Sequence, residues 1–366
     1  AEGGPLTVEQ FQCSSLDTHL QGAVKEMGYK VLEDLNGEEQ LGFTCLQGTL
    51  RNGTRCSTAK AFLGIAKDRT NLHVSKHSHV TKIIIDPESK TATSVQFTTK
   101  TGDVRVVKTK KEIIVSAGAI GSPQILMLSG IGPRKHLQQI GIKPFIEDLK
   151  VGENLQDHMM FPGSIFTIQQ SSVFKLTPNF FNDATYEYLT RRSGVLSTHY
   201  GTTFAGFIRT KYAEDERPDL QYHVFAHLAN DSVAISVLES CLGLTEDSLN
   251  SLKTIISEND FLQIVPIVLR PESVGKIVLK SSNPFEHPLI YSGYLTDSKN
   301  IDLKRMIKGI EFTTEMMNTK IMKNLNATRK KFFIKECEDF EFDSKDYWEC
   351  SVRHIGSTIF HPVGTC

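Results

Sequence analysis

The chain has 366 residues, of which 39% are hydrophobic, and this composition is that of a globular protein and excludes a disordered one. Its 41 Lys and Arg residues balance 42 Asp and Glu residues, so a formal net charge of −1 favours neither nucleic acid nor an anionic membrane as a partner. No apolar run approaches the ~20 residues of a membrane span, and the length suggests about two domains.

An amphipathic segment comes first along the chain. Leu20, Val24 and Met27 recur at the spacing of one helix face, and Gly28 follows as a stop signal. Residues 41–60 are rich in glycine and polar side chains, which predicts a loop that leads into a short helix.

Residues 71–115 change character, because β-branched positions alternate with polar ones between turn signals. We predict three or four strands joined by hairpins, followed by an apolar strand at 113–115 and a tight glycine turn at 118–121. Ser122 and Pro123 then have the pattern of an N-cap and a first helical residue. In an α/β sheet, such a strand–turn–helix unit presents a helix N-terminus to the negative charge of a ligand.

The second half of the chain mixes strand and helix patterns. Apolar runs within 219–239 and 261–282 predict strands, and 302–326 predicts a long amphipathic helix. Residues 165–200 are aromatic and polar without a clear period, which predicts a lid or a surface segment. The alternation of strands and helices predicts an α/β or α+β fold.

Cysteines and glycosylation sequons favour a secreted protein. The chain has seven cysteines and no CxxC, and sequons begin at Asn52, Asn230 and Asn326. Seven reduced core thiols are the alternative interpretation. Cys337 and Cys350 flank an acidic stretch and pair either with each other or elsewhere, and the odd count leaves at least one thiol free or paired outside this chain.

Histidines are the candidate ligands and bases. His73, His77 and His79 form a cluster that is typical of a solvated strand edge, so we predict no metal site. His361 lies in the sequence FHPVGT, where proline and glycine fix the backbone around a side chain suited to accept a proton near neutral pH. From composition alone, an ordinary loop histidine is the alternative. In the sequence NLQDH, Asp157 is a candidate to fix the tautomer of His158.

Two common motifs are absent from the sequence. It has no GxGxxG, the turn that binds the phosphates of a dinucleotide, and no GxSxG, the nucleophile elbow of α/β-hydrolases. Four other stretches, in this order, resemble the glucose–methanol–choline (GMC) family of flavin oxidoreductases: residues 118–132, 151–158, 270–279 and 360–366. Residues 51–63 and 347–350 and the sequons are most similar to the arthropod branch of that family.

The resemblance implies FAD as the cofactor and names three site residues. His361 matches the catalytic base, which takes the hydroxyl proton while the hydride moves to flavin N5. Val80 matches a position whose backbone holds the adenine ring, and Gly118 lies near the nucleotide-binding edge. The implied fold is an α/β, Rossmann-like FAD-binding domain, incomplete in this sequence, with an α+β substrate domain of sheet and helices.

The domain bounds implied by the resemblance place part of the FAD-binding domain at 1–158 and the substrate domain at 159–330. Residues 331–366 return to the FAD and active-site domain, and the family's carboxyl-terminal region begins near 265. Because the GxGxxG turn and the tail with the second active-site residue are missing, we expect a fragment that is inactive alone.

The implied reaction is oxidation of the CH–OH group of a sugar or another alcohol by a secreted enzyme. Quinone or oxygen is the electron acceptor, and the residues do not decide between a dehydrogenase and an oxidase. The alternatives are an ecdysteroid or other alcohol oxidase of the same family, and a GMC-like binding protein without catalytic activity.

Overall fold

The computed structural model describes residues 3–146, 148–168, 180–198, 202–229, 231–331 and 333–366, with residues 180, 181 and 233 described in backbone only. The chain divides into two compact units. The first consists of Ala1–Arg69, Met159–Arg270 and Ile301–Ile359, and the second of Thr70–His158, Pro271–Asn300 and Phe360–Cys366. The domain bounds given above divide the chain by function, and they stay a prediction.

The strands are short, and within the described residues every ladder between them is antiparallel. In chain order they are β1 Glu9–Gln10, β2 Gly42–Cys45, β3 Gln47–Gly48, β4 Leu50–Arg51, β5 Thr54–Arg55, β6 His79–Ile85, β7 Ala92–Thr98, β8 Val104–Lys108, β9 Glu153–Leu155, β10 Met159–Met160, β11 Ile165–Thr167, β12 Thr202–Ile208, β13 Leu220–His227, β14 Phe261–Val268, β15 Gly275–Val278, β16 Leu289–Tyr291, β17 Thr328–Arg329 and β18 Ser357–Thr358.

The α-helices lie between these strands. They are α1 Ser15–Glu26, α2 Gly118–Leu128, α3 Arg134–Gln139, α4 Phe180–Arg191, α5 Ser232–Leu242, α6 Glu246–Glu258, α7 Ile301–Met317, α8 Lys320–Asn324 and α9 Lys345–Ile355. A π-helical turn covers Ala59–Leu63, and 3-10 turns cover Val195–Ser197 and Lys335–Cys337. Among the described residues, none of these helices is long and apolar enough to cross a membrane.

The first unit is built on a sheet centred on β14. All eight residues of β14 are buried, and its sequence FLQIVPIV is apolar except at Gln263. The buried amide of Gln263 donates to the carbonyl of Pro162 at 2.7 Å. The strand order is β17-β11-β14-β13-β12-β2, and β10 pairs with both β14 and β18. The strands predicted within 219–239 and 261–282 are confirmed as β13, β14 and β15.

Aromatic rings fill the space between this sheet and α7. Phe312 of α7 stacks on Phe43 with ring centroids 5.6 Å apart, and its ring lies 4.5 Å from that of Tyr222. Phe43 also stacks on Phe204. Such ring pairs add to the stabilisation that comes from burying their area alone.

The amphipathic helix predicted at 302–326 is confirmed as two helices rather than one. The first, α7, ends at Met317. The hydroxyl of Thr319 then accepts a hydrogen bond from the N–H of Met322 and caps a second helix, α8. The first N–H groups of a helix have no partner within that helix, and a threonine at the N-cap accepts from one of them. Thr319 therefore favours the start of α8 over a continuation of α7.

The predicted first helix is confirmed as α1. Ser14 caps it by accepting from the N–H of Asp17, and the Asp17 carboxylate accepts from the N–H of Ser14. Gly28 follows the helix with φ +85°, the left-handed conformation of a helix stop.

Four of the cysteines are joined in two disulfides. Cys13 pairs with Cys45, and Cys337 pairs with Cys350, which decides between the two pairings left open by the sequence. The cysteines without a disulfide are Cys56, Cys241 and Cys366.

The second unit contains two three-stranded sheets and the helices α2 and α3. The meander β6-β7-β8 confirms the hairpin strands predicted within 71–115, and β16-β15-β9 forms the other sheet. One buried hydrophobic cluster of this unit consists of Met127, Leu137, Val151, Leu155, Ile277 and Leu279. At the carboxyl end of α2, the hydroxyl of Ser129 accepts from the N–H of Ile83 at 2.8 Å and links the helix to β6.

The predictions for residues 113–123 were wrong in detail. Residues 113–115 are not a strand, because a strand needs a hydrogen-bonded neighbour and none of the described strands pairs with them. The predicted turn at 118–121 is the first turn of α2, and Ser122 is therefore inside the helix. Pro123 is also inside α2 rather than at its first position.

Two predictions lie partly or wholly outside the described residues. The segment predicted as a lid includes 169–179 and 199–200, which are not described, and its described parts contain β11 and α4. The sequon at Asn230 is also outside the described residues.

Candidate active site

Two segments of the second unit lie antiparallel and carry the motifs NLQDH and HPVGT. The N–H of Gln156 donates to the carbonyl of Val363 at 2.9 Å, and the N–H of Val363 donates back to Gln156 at 2.8 Å. The N–H of Gly152 donates to the carbonyl of Thr365 at 2.8 Å. These bonds fix the register of the two segments, so sequence motifs about 200 residues apart form one local structure.

Gly364 allows the two segments to approach closely. It has φ +93°, and a Cβ at this position would lie 2.5 Å from the carbonyl oxygen of Asn154. The Asn154 amide donates to the carbonyl of Gly364 at 3.3 Å, and Asn154 itself has φ +59°. Glycine is required by both the backbone conformation and the space, and asparagine tolerates the left-handed region better than most residues.

The backbone of His361 is held by a buried carboxylate. Asp157, 8% exposed, accepts a hydrogen bond from the N–H of His361 at 3.1 Å and another from the hydroxyl of Tyr294 at 2.5 Å. The preceding residue, Phe360, has φ +63°. That conformation is costly for an aromatic residue, and such strain is found preferentially at functional sites.

The side chain of His361 is paired with that of His158. Their Nδ1 atoms are 3.0 Å apart, and their rings are nearly perpendicular with centroids 5.2 Å apart. His361 is exposed, and its Nε2 has no hydrogen-bond partner among the described residues. One nitrogen of the ring is therefore held by the protein, and the other is available to exchange a proton with a small molecule.

The same turn is tied to the amino-terminal end of α2. The buried hydroxyl of Thr365 donates to the carbonyl of Ala119 at 2.5 Å. The N-cap residue of α2, Ala117, supplies no side-chain cap. Gly118 has φ +78° and open space where a Cβ would stand. Burial raises the pKa of the adjacent Cys366 thiol, so we expect this thiol to be protonated at neutral pH.

All three predicted site residues lie in the second unit. His361 and Gly118 are connected through the contact between Thr365 and Ala119. Val80 lies on β6, where it pairs with Phe97 of β7. The catalytic role of His361 and the cofactor-binding roles of Val80 and Gly118 stay predictions.

Two residues of this site, Tyr294 and Thr365, were not predicted from the sequence. Tyr294 occupies a loop of no distinctive pattern, and nothing local marks it as a partner of Asp157. Thr365 follows Gly364 within a recognised motif, so its place near the site was predictable although its contact with α2 was not.

One group of possible metal ligands occurs elsewhere in the described residues. Sulfur and nitrogen atoms of Cys337, Cys350 and His354 lie within 4.8 Å of one another. The two sulfurs are joined in a disulfide, and a metal takes thiolates as its ligands. While the disulfide is intact, these two cysteines offer no thiolate to a metal, and the group is a disulfide beside a histidine.

Both segments of the site lie within regions that match known proteins. Two family models, each described as GMC oxidoreductase, match residues 4–160 and 271–366. The chain belongs to the GMC oxidoreductase family. The predicted family is thereby confirmed, and the matched regions include the NLQDH and HPVGT segments that hold His361.

Curated relatives from insects are similar to this GMC chain along almost all of its length. Glucose dehydrogenase (FAD, quinone) of Drosophila pseudoobscura pseudoobscura is 36% identical over 370 residues, which cover 100% of this chain and 55% of the relative. Ecdysone oxidase of Bombyx mori is 31% identical over 348 residues, which cover 94% of this chain and 49% of the relative. The chain thus spans about half the length of these relatives.

The fold of this GMC chain matches that of solved oxidoreductases. A formate oxidase from Aspergillus oryzae RIB40 superposes with a TM-score of 0.82 at 22% sequence identity, covering 99% of this chain and 63% of that chain. This likeness confirms the predicted mixture of sheets and helices.

Proposed function

We propose that this chain is part of an FAD-dependent enzyme that oxidises the CH–OH group of a sugar or another alcohol, with His361 as the proton acceptor. The observation that carries the proposal is the arrangement of His361. Its backbone and Nδ1 are held within the second unit, and its Nε2 has no described partner. A fixed, exposed imidazole is suited to take a hydroxyl proton near neutral pH.

The residues present fit one part of FAD. The first-turn N–H groups of α2 have no side-chain cap, and Gly118 leaves open space beside them, so this helix end suits an anionic group such as a pyrophosphate. We infer that Gly118 and the backbone of Val80 contribute to holding the cofactor. When bound, FAD supplies the acceptor for the hydride. The GxGxxG turn is absent from the sequence, so we expect the 366-residue chain alone to bind FAD weakly and to be inactive.

Glucose is the substrate that we propose first, with quinone as the electron acceptor. The support is the 36% identity to glucose dehydrogenase (FAD, quinone), compared with 31% to ecdysone oxidase. An ecdysteroid is the second candidate, since that relative is also similar over most of the chain. Both substrates present a secondary or hemiacetal hydroxyl, and a positioned base can take the proton of either one.

We also propose that the protein is secreted and glycosylated. Two disulfides support an oxidising compartment. Asn52 lies exposed in the turn between β4 and β5, and Asn326 is exposed after α8, so both sequons are accessible to a glycosyltransferase.

The test is flavin reduction in the complete natural polypeptide that contains this chain. Under anaerobic conditions, glucose is expected to bleach the visible flavin bands of the wild type, and H361A is expected to slow bleaching by about 10²–10⁴-fold. Exposed His287 supplies the control, because H287A removes a histidine of the same unit from outside the site.

Three results would count against parts of the proposal. Unchanged reduction kinetics in H361A would remove the role of His361. Bleaching of the flavin bands by an ecdysteroid but not by glucose would make the ecdysteroid, rather than glucose, the substrate. A polypeptide without flavin bands would favour a binding protein of the same fold.

A further inference from the structure

We propose that His158 is a positioning residue, which accepts a hydrogen bond from Nδ1 of His361 and thereby keeps the lone pair of His361 on Nε2. The inference rests on the proposed function, in which Nε2 takes the proton of the substrate hydroxyl. It assigns a role to a histidine that the reaction itself does not use.

The distance between the two Nδ1 atoms restricts where protons are. At 3.0 Å, one of these nitrogens donates and the other accepts, because two lone pairs or two N–H groups would repel each other. If His361 donates, its neutral ring carries the proton on Nδ1 and a lone pair on Nε2. If His158 donates, the neutral His361 ring carries its proton on Nε2 and cannot act there as a base.

A second observation supports a positioning role for His158: the residue before it, Asp157, also binds His361. Asp157 accepts from the backbone N–H of His361, and His158 contacts the ring of His361. Two consecutive residues therefore fix both the main chain and the side-chain nitrogen of His361. Tyr294 in turn donates to Asp157, so the carboxylate is itself oriented.

The bond from His361 to His158 also becomes stronger when the proton arrives. A neutral His361 ring donates a neutral N–H···N hydrogen bond. Once Nε2 has taken the hydroxyl proton, the ring is positively charged and the same bond is charge-assisted. His158 thus stabilises the protonated base while it keeps its own proton on Nε2.

The closing experiment reads the tautomer directly. ¹⁵N-histidine NMR of the chain at pH 8, with the His361 signals identified by their loss in H361N, shows which ring nitrogen carries the proton. The variants are H158L, which removes the acceptor, and H158N, whose amide oxygen can replace Nδ1. The matched control is H287L, which replaces an exposed histidine of the same unit.

We expect the Nδ1–H tautomer of His361 in the wild type, H158N and H287L, and its loss in H158L. In the complete flavin-loaded polypeptide, we expect flavin reduction to be about 10–100-fold slower in H158L, by analogy with the loss of residues that orient metal-binding histidines through their second nitrogen. H158N should restore most of the rate.

An Nε2–H tautomer of His361 in the wild type overturns the inference. An Nδ1–H tautomer that persists in H158L also overturns it, whatever the rate of flavin reduction in that variant. Wild-type polypeptide that is not reduced by any alcohol contradicts the proposed function instead. In that case, the NMR result still decides whether His158 positions His361.

Discussion

The hydroxyl of Thr365 donates a hydrogen bond to the carbonyl oxygen of Ala119, 246 residues earlier in the chain. In a regular helix, the carbonyl of Ala119 would accept from the N–H of residue 123. Residue 123 is a proline and has no N–H. Thr365 therefore supplies the donor that Pro123 lacks, and the bond fastens the turn that carries His361 to the first turn of α2.

Removal of this hydroxyl is expected to destabilise the second unit. T365V keeps the shape of the side chain but leaves the carbonyl of Ala119 without its donor, which is expected to lower the free energy of unfolding by about 1 kcal/mol. T365S keeps the hydroxyl and is the control. Urea denaturation measures the difference, and hydrogen exchange at residues 360–366 should become faster in T365V only. Equal stability of T365V and wild type would show that the bond is not needed.

Sequence patterns predicted the helices and strands that are determined by residues close together in the chain. Helix α1 has a periodic apolar face, an N-cap and a glycine stop, and β6, β7 and β8 alternate between turn signals. The residues around His361 likewise made it a candidate, with an ordinary loop histidine as the alternative, and its catalytic role stays a prediction. Each of these features lies within one short stretch of sequence.

The wrong or missing predictions concern residues whose partners are distant in the sequence. Proline favours the first position of a helix, so Pro123 indicated a helix start, whereas α2 begins five residues earlier at Gly118. The residue that compensates for Pro123 is Thr365, and no local pattern connects the two. Tyr294 was missed for the same reason, since only the folded chain brings it to Asp157.

Gly364 offers a test of the close approach between the two site segments. An alanine there would adopt a left-handed backbone and also place its Cβ 2.5 Å from the carbonyl oxygen of Asn154. Gly141 has a similar φ of +78° but open space around it. G141A is therefore expected to cost about 1–2 kcal/mol from backbone strain alone, and G364A is expected to cost more.

Thermal unfolding of both variants measures this difference. In the complete polypeptide, G364A should also slow flavin reduction, because the segment that carries His361 must shift, and G141A should leave the rate unchanged. Equal melting temperatures for the two variants would contradict the importance of the contact with Asn154.

The disulfide between Cys337 and Cys350 is expected to stabilise the first unit. It closes a loop with a sequence separation of 13 residues and joins the 3-10 turn at Lys335–Cys337 to α9. Because the bond restricts the unfolded chain, C337A/C350A is expected to lower the free energy of unfolding by about 2–4 kcal/mol. Urea denaturation checks the value, with C241A as a control at a cysteine that has no disulfide. A reactive thiol at position 337 or 350 in the folded protein would contradict the pairing.

Asp260 is expected to make the first unit less stable as the pH rises. Burial raises the pKa of this carboxyl above its ordinary value of 3.8, although the N–H of Ala229 donates to Oδ1 at 2.7 Å and opposes the shift. Between the unfolded and folded pKa values, the folded protein keeps a proton that the unfolded chain has released. The free energy of unfolding therefore falls as the pH rises from about 4 through the folded pKa.

D260N removes this titration while its amide oxygen can still accept from Ala229. The melting temperature of D260N relative to that of the wild type is therefore expected to increase from pH 4 to pH 7. D339N, at an exposed position of the same unit, should follow the wild type at every pH. Parallel curves for D260N and wild type would mean that Asp260 releases its proton equally readily in the folded and unfolded chains, and burial would then not control its charge.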